Sequence, residues 1–284
     1  MKIISFLSSL MIAVLLYSLG GCGINGMHSC CKMKAKYERT ETLIRQSDSE
    51  CKIFTTEIHN GSVTVLPGTH GQCDITAKIT AKADTVEDAQ KLAEAVSISL
   101  KDLNGNTTVV VEKPQLKHDT ISIDITATVD KNASLEIVSH NGDIKVSGNL
   151  NSQNILTHNG DIELMQTAGP AMAQTHNGDI NVNSPAGKLD LETHNGNINI
   201  EDLNAAQSRL AATSYNGNVT TGFADEPSAT VTLSTSNGKL KCDYPVTIQG
   251  EFNRHELKGQ LGGGQGNIQL KTHNGNINIK KSGN

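Results

Sequence analysis

The sequence predicts an all-β protein whose main part is a parallel β-solenoid with coils of about 18 to 21 residues and one N-terminal capping helix. Three observations lead to this prediction. A turn phrase recurs at a fixed spacing, apolar residues alternate on both sides of each turn, and aromatic residues make up only 3% of the chain, with no Trp. Period-two alternation is typical of strands, and a fixed repeat of this length is typical of solenoids.

The repeated phrase is, in most copies, a ring residue followed by Asn-Gly, an acidic or amide residue and Ile. In its central part the first residue recurs at one constant interval, at His140, His158, His176 and His194. Further copies begin at His59, Tyr215, Ser236 and His273. Asn and Gly tolerate positive φ, so we predict turns at Asn141, Gly142, Asn159, Gly160, Asn177, Gly178, Asn195 and Gly196.

Two architectures are compatible with one repeat. Asn-Gly between alternating strands is a strong hairpin signal. Repeated hairpins, however, would form a long antiparallel sheet with an uncovered apolar face. Stacked coils of a parallel solenoid cover that face and align like residues in columns, so we favour the solenoid. Right-handed winding is the default for parallel crossovers, while coils of three short left-handed strands also fit a repeat of this length.

The N-terminal segment, residues 1–36, carries export signals. Residues 1–21 have a basic start and an apolar run too short to span a membrane, as in a cleaved signal peptide. Leu19-Gly20-Gly21 before Cys22 resembles the bacterial lipoprotein signal, in which the Cys becomes the lipidated first residue. Residues 22–36 are then a lipidated tether, and we expect an exported protein anchored to a bacterial membrane, in the outer membrane and periplasm or at the cell surface.

Residues 37–132 mix strand and helix patterns. Alternation predicts strands at 75–79, 107–112 and 120–129. A capping box at Thr85 and helical apolar spacing predict one helix over about 85–100, ended by Asn104-Gly105. We expect this helix to cap one end of the stack, because terminal repeats must be atypical.

The solenoid repeats occupy residues 133–284. The long gap between Ser236 and His273 leaves room for one extra coil. We predict an open edge near Ile279 and a buried, inert thiol at Cys242. Cys51 and Cys73 flank the first Asn-Gly turn and are candidates for a disulfide in an oxidising compartment.

Stacking would place His140, His158, His176 and His194 in one exposed column, with Asp143, Asp161 and Asp179 beside it. One hypothesis is a ladder that binds a divalent metal or responds to pH. The alternative is turn chemistry, in which Asp and Asn bond the local backbone and each His packs on its neighbours. Tyr215 and Ser236 in the same column favour turn chemistry, so we predict no dedicated metal site.

Other chemistry lacks support in the sequence. The chain has no Gly-x-Ser-x-Gly motif and no metalloprotease helix, so we predict no catalytic residues, no cofactor and no enzymatic activity. A net charge of −5 and scarce aromatic residues argue against nucleic-acid binding.

The lipoprotein-like signal, the helix with flanking strands and the repeated Thr-His-Asn-Gly-Asp-Ile units together resemble the bacterial putative-adhesin family of β-strand repeat proteins. The resemblance covers roughly residues 37–280 and implies a non-enzymatic envelope protein, an adhesin or a scaffold. Its partners would be the membrane, through the N-terminal lipid, and an envelope polysaccharide or surface protein. The alternatives are a carbohydrate-binding or carbohydrate-active β-helix, and a metal- or pH-responsive surface protein.

Overall fold

The computed structural model describes residues 34–44, 51–114, 121–148, 151–204, 209–249 and 253–281. The predicted signal peptide, residues 1–21, and the predicted lipidation site Cys22 lie outside this part of the chain. Within it, nearly all regular structure is β-strand and a single helix is present. None of the helical structure in these segments has the length and apolar character needed to cross a membrane.

Two groups of elements follow each other along the chain. The first comprises β1 Ala35–Ile44, β2 Ile53–Asn60, β3 Val63–Gly68, β4 Cys73–Ala83, α1 Val86–Glu94, β5 Ser97–Leu103, β6 Asn106–Glu112 and β7 Ile121–Asp130. The second comprises β8 Ser134–Asn141, β9 Ile144–Ser147, β10 Ser152–Asn159, β11 Ile162–Met165, β12 Ala171–Asn177, β13 Ile180–Asn183, β14 Leu189–Asn195, β15 Ile198–Leu203, β16 Arg209–Asn216, β17 Val219–Phe223, β18 Ala229–Asn237, β19 Leu240–Cys242, β20 Thr247–Ile248, β21 Glu256–Leu261, β22 Gly266–Asn274 and β23 Ile277–Lys281.

Each repeat is one coil with two strands. A longer strand lies in a 12-stranded sheet, called sheet I, and after the Asn-Gly turn a shorter strand lies in an 11-stranded sheet, called sheet II. Successive coils pair in parallel, and like residues face each other across the register. Ile155, for example, pairs with Ile137 on one side and Ala173 on the other. The parallel solenoid is confirmed, and the hairpin alternative is wrong.

Eight coils are stacked in the described part of the chain, and we number them by their place in the stack. Coil 1 is β2–β3, coil 2 β8–β9, coil 3 β10–β11, coil 4 β12–β13, coil 5 β14–β15, coil 6 β16–β17, coil 7 β22–β23 and coil 8 β18–β19. The last two are exchanged relative to the sequence. The C-terminal coil 7 therefore lies between coil 6 and coil 8.

The N-terminal end of the stack extends beyond coil 1. In sheet I, β6 pairs with β2, and β5 pairs antiparallel with β6. In sheet II, β7 pairs with β3, followed by β4 and β1. The helix packs on β1 and β4 at this end. Coil 1 pairs directly with coil 2, so the predicted division at residue 133 separates two adjacent coils.

The helix begins as predicted and ends earlier. The Thr85 hydroxyl accepts a hydrogen bond from the Asp88 backbone N–H at 3.1 Å, which is the predicted N-cap. The helix ends at Glu94, because Ser97–Leu103 alternates and forms a strand instead. Asn104 and Gly105, with φ of 55° and 88°, form the hairpin turn between β5 and β6. The prediction that they end the helix is wrong.

The C-terminal part also differs from the prediction. The segment between β19 and β22 forms no extra coil; β21 pairs antiparallel with β18, and β20 with β21. The strand that contains Ile279 is paired on both sides, so the predicted open edge is wrong. At this end of the stack, the edge strand of sheet II is β19, the short strand of coil 8.

The core lies between the two sheets and is aliphatic. The inward columns hold Ile, Val, Leu and Ala at each level, with side chains almost fully buried. Burial of apolar surface stabilises a fold by about 25 cal/mol per Å². Because every level contributes similar residues, the stack has a continuous narrow core that fits the low aromatic content.

Candidate functional site

A column of aromatic and imidazole rings runs along the outside of sheet I. It contains His59, His140, His158, His176, His194, Tyr215 and His273, which lie one per level from coil 1 to coil 7. Neighbouring ring centroids are 4.7 to 5.0 Å apart, and the ring planes differ by 3° to 17°. We call this set the ring column. It includes the four predicted histidines and extends past them at both ends.

An amide ladder lies next to the ring column and is formed by the Asn of each Asn-Gly turn. The side-chain N–H of each Asn donates to the side-chain oxygen of the Asn in the preceding coil, as Asn159 does to Asn141 at 2.7 Å. The ladder continues through Asn60, Asn141, Asn159, Asn177, Asn195, Asn216, Asn274 and Asn237. Because each amide is both donor and acceptor, the ladder fixes the spacing of the rings beside it.

The glycine that follows each Asn is required by the close approach of the coils. A Cβ on Gly160 would lie 2.2 Å from the carbonyl oxygen of Gly142, and one on Gly142 would lie 1.7 Å from that of Gly61. No side chain fits at these distances. On the inner side of the turn, the Thr193 hydroxyl donates to the Gly178 carbonyl at 2.9 Å, and Thr or Ser does the same in other coils.

The predicted aspartates stabilise the turns. A side-chain oxygen of Asp143 accepts the backbone N–H of Asp161 at 2.9 Å, and Asp161 accepts that of Asp179 at 2.8 Å. Asn197 continues the row. Searching the described segments gives no group of three or more His, Cys, Asp or Glu able to hold a metal ion. The geometry matches the turn-chemistry alternative, in which these side chains bond the backbone.

A groove of about 880 Å³ runs beside the ring column on coils 1 to 5. The ring column forms part of its lining, and so does the adjacent outward column of Glu57, Val138, Leu156, Gln174 and Glu192. Residues of β6 and the following Lys113 also line it. Val138 and Leu156 are neighbours in this column and remain 39% and 44% exposed. The groove therefore combines an apolar strip, imidazole edges and carboxylates.

The sequence reasoning missed this groove. The signal was present, because Val138 and Leu156 stand at outward positions of strands whose other outward positions are mostly polar. Reading the columns across coils would have shown two apolar residues next to each other on the solvent side. The groove also depends on the position of β6 beside coil 1, and the periodic pattern of the sequence does not indicate that position.

The cysteines lie away from the groove. Cys51 and Cys73 are both buried, and the disulfide between them stays a prediction. Cys51 precedes a strand of sheet I, and Cys73 begins a strand of sheet II. Cys242 is only half-buried, because β19 is an edge strand, and partial burial raises the pKa of its thiol.

One carboxylate deep in the fold was not anticipated. Asp130, at the end of β7, is 1% exposed. Burial opposes its ionisation, but the backbone N–H groups of Gly71 and Asn132 donate to it at 2.7 and 2.9 Å. With His70 and Lys131 nearby, these bonds hold the pKa of Asp130 below its ordinary value. Asp130 therefore organises the loop before β4 and does not belong to the groove.

The stacked two-stranded coils and repeated Asn-Gly corners define a β-solenoid repeat protein. Residues 158–280 match the model of the family described as Toastrack DUF4097. The resemblance to β-strand repeat proteins noted in the sequence is thereby confirmed. Among curated proteins, none matches the chain.

Two solved structures are similar to this chain at low sequence identity. A putative cell adhesion protein from Clostridium sporogenes is 14% identical, with a TM-score of 0.38, covering 86% of this chain and 100% of that one. A putative adhesin from Bacteroides fragilis is 15% identical, with a TM-score of 0.42, covering 86% of this chain and 97% of that one.

Proposed function

We propose that this chain is a non-enzymatic, exported bacterial protein, lipid-anchored through Cys22, that binds an extended polysaccharide along the groove. It would act as an adhesin or as a scaffold of the envelope. The observation that supports this proposal most is the groove itself, which follows the ring column across five coils. At about 4.8 Å per coil, the groove is roughly 20 Å long, a length suited to several units of a linear polymer.

The chemistry of the groove fits a sugar chain. Val138 and Leu156 offer apolar surface to the C–H face of a sugar ring, and Gln174, Glu57 and Glu192 offer hydrogen-bonding groups. Sites that combine apolar surface with a few polar groups are typical of specific ligand binding. The ring column adds imidazole edges that can donate or accept hydrogen bonds. Because the strands that carry these side chains are paired on both sides, their backbone is ordered before binding, which lowers the entropic cost of association.

The proposal is tested with the full chain carrying Cys22→Ser, which prevents lipid attachment. Its migration is measured by affinity electrophoresis in gels that contain purified capsular polysaccharide, peptidoglycan fragments or mucin glycans. We expect retardation by at least one of these polymers. Leu156→Lys should weaken it about tenfold or more, because it removes apolar contact at the centre of the groove.

The matched control is Asn181→Lys, which adds the same charge to the outward face of sheet II, away from the groove. It should bind as the parent does. Equal retardation of both variants would contradict the groove as the binding site. Absence of retardation by every polymer would contradict polysaccharide binding.

A further inference from the structure

The order of the last coils has a physical basis in the turn residues. In coils 2 to 7, an Asp or Asn side chain of the turn accepts the backbone N–H of the coil that follows in the stack. Asn218 of coil 6 accepts from Asn276 at 2.8 Å, and Asn276 of coil 7 accepts from Lys239 at 2.9 Å. Lys239 holds the same position in coil 8, and its side chain has no acceptor. Coil 8 is therefore suited only to the end of the stack, although coil 7 follows it in the sequence.

Coils 6 and 8 also have faces that match each other. Coil 6 offers three acceptors to coil 7: the side-chain oxygens of Asn216 and Asn218 and the carbonyl of Gly217. Coil 8 presents to coil 7 the same kinds of donor that coil 7 presents to coil 6, namely the Asn237 amide, the Lys239 backbone N–H and the Thr235 hydroxyl. Coil 8 can thus stack directly on coil 6 when coil 7 is absent.

The length of the connection is compatible with that direct contact. Asn216 and Asn237 are 21 residues apart, the same separation as between Asn195 and Asn216. Asn195 and Asn216 belong to coils 5 and 6, which are stacked directly on each other. In the shared register, the inward residue Leu210 would meet Val231, so the core would stay apolar.

Coil 7 is attached through a short glycine-rich crossover. Its strand β22 and the preceding β21 lie on opposite sides of β18, and residues 262–265 connect them across it. Gly262 and Gly264 have φ of 51° and 71°. The two strands that this loop connects each pair with β18. Because glycine adopts many backbone conformations, such a loop can open into an extended hinge at low cost.

We propose that the space between coils 6 and 8 is a receptor site for a C-terminal coil, and that coil 7 is exchanged between two copies of this chain. In the exchanged dimer, coil 7 of each copy lies between coils 6 and 8 of the other. All coil contacts are the same as in the closed monomer, and only the crossover loop changes. Exchange of an identical element gives a closed two-fold dimer. This proposal is independent of polysaccharide binding in the groove.

The test uses two full-length variants, both carrying Ser at Cys22, Cys30 and Cys31. One has Thr213→Cys in coil 6, and the other has Lys271→Cys in coil 7, its register partner. The variants are unfolded, mixed and refolded at about 5 µM and about 500 µM, the second value approaching the roughly millimolar effective concentration of a tethered segment. We expect a disulfide-linked heterodimer whose yield rises at least about fivefold between the two concentrations, because pairing of two chains is favoured by mass action.

Two controls make the result decisive. Thr213→Cys mixed with Asn278→Cys should give no heterodimer, because Asn278 lies in sheet II of coil 7. Thr213→Cys and Lys271→Cys in one chain should form an internal disulfide at low concentration. The parent protein is also refolded at about 500 µM, near the effective concentration of a tethered segment, and examined by size-exclusion chromatography. If neither this sample nor the mixture of variants contains dimer, exchange does not occur and the proposal is wrong.

Discussion

The backbone N–H of Lys239 donates to the side-chain oxygen of Asn276 at 2.9 Å, although Asn276 comes 37 residues later in the chain. This bond places the last coil of the sequence inside the stack and the preceding coil at its end. At this turn position, coils 2 to 7 have an Asp or Asn that accepts from the next coil, whereas the terminal coil 8 has a lysine. An acceptor side chain permits a following coil, and a lysine does not.

Asn276→Lys should destabilise the protein, because it removes the acceptor of the Lys239 N–H and places two cationic side chains at neighbouring levels. We expect a loss of about 1 to 3 kcal/mol in the free energy of unfolding, measured by urea denaturation. Lys239→Asn is the control, since coil 8 uses only the backbone N–H of residue 239. Its effect should lie within about 0.5 kcal/mol.

Gly160→Ala should be severely destabilising. The added Cβ would lie 2.2 Å from the Gly142 carbonyl oxygen, and neither backbone can move without disrupting the ladders on both sides. We expect a loss of more than about 3 kcal/mol or failure to fold, detected by circular dichroism and urea denaturation. Gly263→Ala meets only the Ser228 hydroxyl, at 3.1 Å, and should be tolerated. Equal effects of the two substitutions would be inconsistent with the close approach of the coils.

Thr193→Val should reveal the contribution of the inner hydroxyls. The Thr193 side chain is 1% exposed and donates to the Gly178 carbonyl at 2.9 Å. Valine keeps the shape and removes the donor, so we expect a loss of about 1 to 2 kcal/mol in thermal or urea unfolding. Thr193→Ser retains the donor and should lose less than the valine variant. The reverse order would mean that the methyl group contributes more than the hydrogen bond.

Asp130→Asn should lower stability at neutral pH by about 1.5 to 3 kcal/mol, because two backbone N–H groups donate to the buried carboxylate. Since folding lowers the pKa of Asp130 below 3.8, its contribution is fully present above that pH and is lost as pH falls further. The difference in unfolding free energy between parent and variant should therefore shrink below pH 3.8. Asp190→Asn, on an exposed outward position, is the control and should change the free energy of unfolding by less than about 0.5 kcal/mol.

Much of this architecture could be predicted because the information is local and repeated. Each Asn-Gly corner, its inward Thr or Ser and the alternating strands are defined within one coil, so a constant period along the chain indicates columns in the fold. The His column and the Asp row follow from the same reasoning. The sequence also held the signal for the terminal coil, since Lys239 and Ser236 depart from the pattern of the other turns.

The remaining differences come from tertiary contacts that a periodic pattern does not contain. Residues 97–103 pair with β6 and form a strand, although the apolar residues of the preceding helix continue into this segment without interruption. Coil 7 pairs with both coil 6 and coil 8, whereas the order of the repeats along the chain would place it after coil 8. The placement of Cys51 before a strand of sheet I and of Cys73 at the start of a strand of sheet II is likewise not indicated by their positions around one turn.

The parallel stacking of coils can be tested most directly with paired cysteines around one Asn-Gly turn. Leu156 lies in register beside Gln174 of the next coil, whereas in a hairpin folded at Asn159-Gly160 it would face Glu163. Parallel stacking predicts that Leu156→Cys with Gln174→Cys oxidises readily to an internal disulfide, while Leu156→Cys with Glu163→Cys does not. A disulfide in the second variant and none in the first would contradict the solenoid.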